Sequence, residues 1–99
     1  MEDLARFPAA VRRKAGYQIF RVQQGDDPAD WKPMNAIGPG VREIRIRDAG
    51  GTFRVIYVAR FAGAIYVLHC FEKKTRKTRV EDVDLARRRY SELVRELSQ

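Results

Sequence analysis

The distribution of apolar residues predicts an α+β fold: an antiparallel sheet of three strands packed with helices on its N-terminal side and closed by one C-terminal helix. Three observations lead there. Up to Gly25 the apolar residues recur at three- and four-residue spacing, and from Val41 the spacing changes to two with Val, Ile, Tyr and Phe enriched. The links between the β-like runs are short and contain glycine, as antiparallel hairpins require.

Leu4 and Phe7 begin an apolar stripe ahead of Pro8, a residue suited to a first helical turn, and predict a short turn packed with the helix that follows. Val11, Ala15, Ile19 and Val22 continue the stripe until Gly25 stops it. The polar, proline-containing segment from Asp26 to Pro33 breaks regular structure, with a short helix expected around Pro28 to Lys32, and Ile37-Gly38-Pro39-Gly40 is a turn. Strands are predicted at Val41–Arg47, Thr52–Arg60 and Ala64–Lys73, linked by Asp48-Ala49-Gly50-Gly51 and by Phe61-Ala62-Gly63. In the first strand Glu43, Arg45 and Arg47 alternate with Ile44 and Ile46, so one face is expected to be wet and charged. The other two are apolar on both sides and belong nearer the centre, with helices covering at least one face. Thr78-Arg79-Val80-Glu81 fits a capping box opening a helix whose stripe is Val83, Ala86, Tyr90, Leu93, Val94 and Leu97.

With 99 residues the chain is expected to be a single domain, residues 1–99, and the 44% apolar and 33% charged composition reads as globular rather than disordered. No apolar run is long enough to span a bilayer, and Met1-Glu2-Asp3-Leu4 has neither part of a secretory signal. Together with the lone Cys70, which has no internal disulfide partner, this predicts a reducing, cytoplasmic setting and no membrane partner.

Charge is unevenly placed. Residues 41–79 carry ten Lys/Arg against three Asp/Glu, so the middle of the chain alone accounts for the net +7, while both flanks are nearly neutral. A polyanion is the favoured partner, nucleic acid ahead of membrane, because no basic helix offers an apolar insertion face.

One His and one Cys, adjacent at His69 and Cys70, are too few for a metal centre and point to opposite strand faces, which also rules against a Cys–His nucleophile. No cofactor or metal is expected. What remains is cationic: Arg45, Arg47, Arg54, Lys73, Lys74, Arg76 and Lys77, interleaved with Tyr57, Tyr66 and Phe71. Such residues can bind phosphates. They can also assist attack of an RNA 2′-hydroxyl on phosphorus, which needs alignment, charge stabilisation and proton exchange. A lysine depressed by cationic neighbours could exchange that proton near neutral pH.

Four segments carry a family resemblance: Val41-Arg-Glu-Ile-Arg-Ile-Arg47, Thr52-Phe-Arg-Val-Ile-Tyr57, Val67-Leu-His-Cys-Phe-Glu-Lys-Lys-Thr-Arg-Lys-Thr78 and Asp84-Leu-Ala-Arg-Arg-Arg89. In this order and spacing the chain resembles the HigB-like toxins of the RelE/ParE superfamily. The resemblance implies a RelE-like, microbial-RNase-like fold and a type II toxin that inhibits translation as a metal-independent mRNA endoribonuclease acting on the ribosome. It implies a cognate helix-turn-helix antitoxin, HigA-like, and assembly as a homodimer or a toxin–antitoxin heterotetramer. Carried over by motif position, Arg54 and Lys74 are the implied catalytic residues: Arg54 is the strand arginine for phosphate and transition-state contact, and Lys74 is the basic residue ending the last strand. Arg45 and Arg47, with Lys73, Arg76 and Lys77, are implied to bind RNA. The chain departs from the family in starting inside the first helix without the usual preceding strand. No Tyr or His follows Lys77 until Tyr90, so a C-terminal general acid or base is not identifiable.

Several residues read more simply. Glu43, flanked by Arg42 and Arg45, suits a structural ion pair better than a catalytic base, and His69, Tyr57, Tyr66 and Cys70 suit the core. Trp31 is expected to anchor its loop to the helices rather than bind RNA, whereas Arg87, Arg88 and Arg89 fit ribosomal RNA contact and helix solvation equally. Two rival functions stay open. One is a ParE-like toxin that poisons DNA gyrase; the other is a phage-derived nucleic-acid-binding module in which the same cations bind without cutting.

Overall fold

Helix α2 (Ala9–Gln23) follows a short turn of helix, α1 (Glu2–Ala5), in a computed structural model that describes residues 2–59, 64–74 and 76–98. Gly25, at φ 89°, closes α2 as a Schellman motif, with Asp26 N–H donating to Arg21 O at 2.9 Å and Gly25 N–H to Val22 O at 3.0 Å. The left-handed conformation is one that glycine adopts without a Cβ penalty, so the expected stop is made by the expected residue.

The sheet has four antiparallel strands in the order β1 (Trp31–Pro33), β2 (Val41–Asp48), β3 (Gly51–Val58) and β4 (Tyr66–Lys73), and α3 (Val80–Leu97) follows. The short helix expected around Pro28 to Lys32 is absent: Trp31, Lys32 and Pro33 pair with Ile44, Glu43 and Arg42 instead. A helix of five residues cannot offset its nucleation cost, whereas the free edge of β2 offers ready hydrogen-bond partners and tolerates a proline. The meander of three strands thus gains a fourth, and β2 becomes an interior strand. The β2–β3 hairpin pairs Asp48 with Gly51, leaving a two-residue loop. The end of the second expected strand at Arg60 and the link Phe61-Ala62-Gly63 lie outside the described residues.

Helices cover both faces. On one, Phe7, Val11 and Ala15 pack on Ile44, Ile46, Phe53, Val55, Tyr57 and Cys70, with the Phe7 and Phe53 rings 5.0 Å apart edge to face. On the other, Ala86 with Val83, Tyr90 and Leu93 of α3 packs on Ile37, Val41, Ile56, Val58, Leu68 and Phe71. Each fully buried Ile or Val contributes roughly 1.5–3 kcal/mol of transfer free energy. Gly38 is a close-approach position, since a Cβ there would lie 2.4 Å from the Tyr90 ring, whose hydroxyl donates to Pro39 O. The capping box does not form. Arg79 is the N-cap without a side-chain hydrogen bond, and the Thr78 hydroxyl donates to Glu43 Oε2 at 3.1 Å, because a buried carboxylate competes for it across the sheet. Among the described residues no helix is long and apolar enough to cross a membrane.

Candidate functional site: a cationic face of the sheet

Alternation along β2, β3 and β4 places the charged residues on the face that α3 covers only in part. Register sets their order in rows. Lys32, Glu43, Ile56 and His69 form one row, Arg45, Arg54 and Phe71 the next, and Arg47, Thr52 and Lys73 the last. The face therefore grades from the apolar core beneath α3, through a buried charged row, to exposed Arg47 at its open end.

The expectation that this side of β2 would be wet is corrected by Glu43, which is 0% exposed, and by Arg54, at 7%. Glu43 is enclosed by neighbours that a sequence pattern does not reveal, Lys32 of the adjacent β1 and Thr78 from the loop before α3. Glu43 Oε1 lies 3.1 Å from Arg54 Nε and 3.8 Å from Lys32 Nζ, so one carboxylate serves two cations. The Arg54 contact is an ion pair and lacks the alignment of a hydrogen bond, and Arg54 Nη1 is buried with no hydrogen-bond partner among the described residues. Arg45 is pinned by Asp30, with Nε 3.1 Å from Oδ1.

Crowding alters the proton affinities. Burial lowers the Arg54 pKa, Arg45 and Arg47 lower it further, and Glu43 and Asp30 oppose them. Lys73 is likewise lowered from the ordinary 10.5, first by burial and then by Arg54, Lys32 and Arg45. The cluster holds five cations (Lys32, Arg45, Arg47, Arg54 and Lys73) against the carboxylates of Asp30 and Glu43. An unsatisfied, like-charged cluster of this kind is relieved by an anion rather than by a metal ion.

Of the site residues expected from sequence, the fold brings together Arg45, Arg47, Arg54 and Lys73. Lys74 is exposed just beyond the end of β4, and Arg76 and Lys77 are exposed in the loop leading to α3. Thr75 of the same motif lies outside the described residues. Lys32, Asp30 and Thr78 are additions. The register of Arg45 opposite Arg54 was recoverable from the two-residue hairpin, but Lys32 sits in a strand too short to show a period.

His69, expected in the core, is there: its Nε2 lies 2.8 Å from Asp82 Oδ1, both side chains are buried, and Arg79 Nε reaches the other carboxylate oxygen at 3.2 Å. Trp31 lies in β1 opposite Ile44, with the Arg42 guanidinium of β2 4.0 Å above its ring. A cavity of about 540 Å³ opens beside β4 between Phe7, Phe53, Phe71 and the His69–Asp82 pair, and none of Lys32, Arg45, Arg47, Arg54 and Lys73 lines it. An open face suits a polymeric phosphate better than such a cavity does. Among the described residues no three His, Cys, Asp or Glu side chains cluster as metal ligands would.

No curated protein matches the chain. The family of phage-derived Gp49-like proteins (DUF891), which is associated with toxin–antitoxin systems, matches residues 2–91, a span that includes every strand and helices α1 and α2, together with most of α3. The four-stranded α+β fold, its cationic sheet face and this near-complete match agree, and the chain belongs to the phage-derived Gp49-like family.

Proposed function

We propose that the chain is the toxin of a type II toxin–antitoxin pair, a HigB-like, metal-independent endoribonuclease that cuts mRNA on the ribosome. The observation that carries this reading is the buried Arg54 guanidinium, short of acceptors and ringed by Arg45, Arg47, Lys73 and Lys32 on an open sheet face. The α+β architecture is compatible with a RelE-like domain, and the family's association with toxin–antitoxin systems supports the toxin assignment.

In the reaction the RNA 2′-oxygen attacks phosphorus, the bond to the 5′-oxygen breaks, and a cyclic phosphate and a 5′-hydroxyl result. Arg54 stabilises the negative charge that builds on the phosphoryl oxygens. Lys73, whose proton affinity is lowered, accepts the 2′-hydroxyl proton, the Lys74 ammonium donates one to the departing 5′-oxygen, and Arg45, Arg47, Arg76 and Lys77 hold the flanking phosphates. In the cell the partners are translated mRNA and a small helix-turn-helix antitoxin of the HigA type.

Induction in a bacterial host followed by primer extension tests this directly. New 5′ ends inside translated reading frames, lost when translation is blocked, are expected. Growth arrest with intact transcripts and DNA damage would instead mark a gyrase poison, and intact transcripts without arrest a binding module.

A further inference from the structure

Among the described residues Glu43 is the one carboxylate wholly enclosed by the cationic face, and it touches three different parts of the chain. Oε1 faces Arg54 of β3 at 3.1 Å and Lys32 of β1 at 3.8 Å; Oε2 accepts from Thr78 in the loop between β4 and α3 at 3.1 Å. At 0% exposure it cannot meet a 2′-hydroxyl, so it is not placed to act as the base. A buried charge is retained at considerable cost in desolvation, and among the described residues that cost is offset here by Arg54, Lys32 and Thr78. Thr78 also has a more local use available, capping α3, which it forgoes in favour of Glu43.

We propose that Glu43 is a positioning residue. Its two oxygens hold Arg54 and the loop carrying Lys74, Arg76 and Lys77 in one mutual geometry, so that the carboxylate at position 43 raises the rate of RNA cutting without raising the affinity for RNA. This rests on the function proposed above. It goes beyond an ordinary structural ion pair in one respect: losing the carboxylate removes a negative charge from beneath a phosphate site, which by itself favours RNA binding. Rate and affinity should therefore move in opposite directions.

The test uses the full chain with Glu43→Gln, Thr78→Val and Thr78→Ser. Affinity is measured on a labelled single-stranded oligonucleotide with 2′-deoxy sugars, which cannot be cut, and rate is measured on mRNA in a translating extract. For Glu43→Gln the rate is expected to fall roughly 100-fold, the penalty for a displacement of about 1 Å, with affinity equal to or tighter than that of the wild type. Thr78→Val should show the same split more weakly and Thr78→Ser should restore the rate, which keeps the idea testable if Glu43→Gln fails to fold. Parallel loss of rate and affinity in the folded variants, or an unchanged rate, overturns the proposal. Should the wild type cut no RNA, the proposed function is what fails; the positioning is then read from the Arg54 side-chain NH resonance, expected to shift in both Glu43→Gln and Thr78→Val. An unmoved resonance in both overturns it.

Discussion

The two faces of one sheet are filled by different means: the α2 side by apolar residues, and the α3 side by apolar residues beneath the helix and by charges toward its open end. Strand β2 sends Ile44 and Ile46 to the α2 side, where their neighbours are Phe53, Val55 and Cys70, and it sends Glu43 and Arg45 to the α3 side, where they meet Arg54 and Asp30. On the first face stability scales with apolar area and tolerates small shifts. On the second it depends on matched charges at fixed distances, because an unmatched buried charge is far costlier than a slightly misfitted methyl group. A two-residue shift of register would leave apolar residues on the first face but would separate the charge pairs of the second. Function is proposed on the second because charges whose own partners are incomplete are available to a ligand.

Mutations that break each face should show this contrast. Ile44→Ala, at the centre of the apolar face and 0% exposed, should lower unfolding free energy by about 4 kcal/mol in urea titration, with RNA cutting lost only in proportion to the unfolded fraction. A loss under about 1 kcal/mol would mean that this face is loosely packed. Arg54→Ala should cost about 3 kcal/mol by stranding Glu43, besides abolishing cutting, and adding Glu43→Gln in the same chain should recover part of that stability but none of the activity. Strict additivity of the two changes would show that the pair is not coupled.

A smaller effect is expected at Lys73, where the sign follows from its lowered proton affinity. The unfolded chain holds the Lys73 proton up to the ordinary 10.5 and the folded chain releases it at lower pH. Between those two points the unfolded state binds more protons, so stability gains from Lys73 as pH rises through that window and is penalised below it. Unfolding titrations on the alkaline side should show wild type gaining on Lys73→Met as pH approaches 10.5, and parallel curves would contradict the depressed proton affinity. Smallest of all, Arg47→Ala at the exposed end should leave stability unchanged. It should reduce the slope of log K against log salt by about 0.7 from a starting value near −3.5, as expected for roughly five phosphate contacts on a single strand. An unchanged slope would remove Arg47 from the contact surface.

Long periodic elements were legible without any coordinates. The α2 stripe, the Gly25 stop, the meander and the α3 stripe all follow from local pattern, because period and turn chemistry act over a few neighbouring residues. Short elements were not. Trp31–Pro33 is strand rather than helix only because β2 presents an edge to it, and Thr78 leaves its expected cap only because Glu43 lies across the sheet. The same distinction divides the site. That the middle of the chain is strongly basic, and that Arg45, Arg47, Arg54, Lys73, Lys74, Arg76 and Lys77 are its candidates, is a property of the sequence alone. Which cations share a face, that Lys32 joins them, and that Glu43 is enclosed among them were decided by tertiary structure, since burial and ion pairing depend on residues brought together from β1, β3 and the α3 approach. A sequence lists charges one at a time, but the energy of a buried charge is set by its neighbours in space.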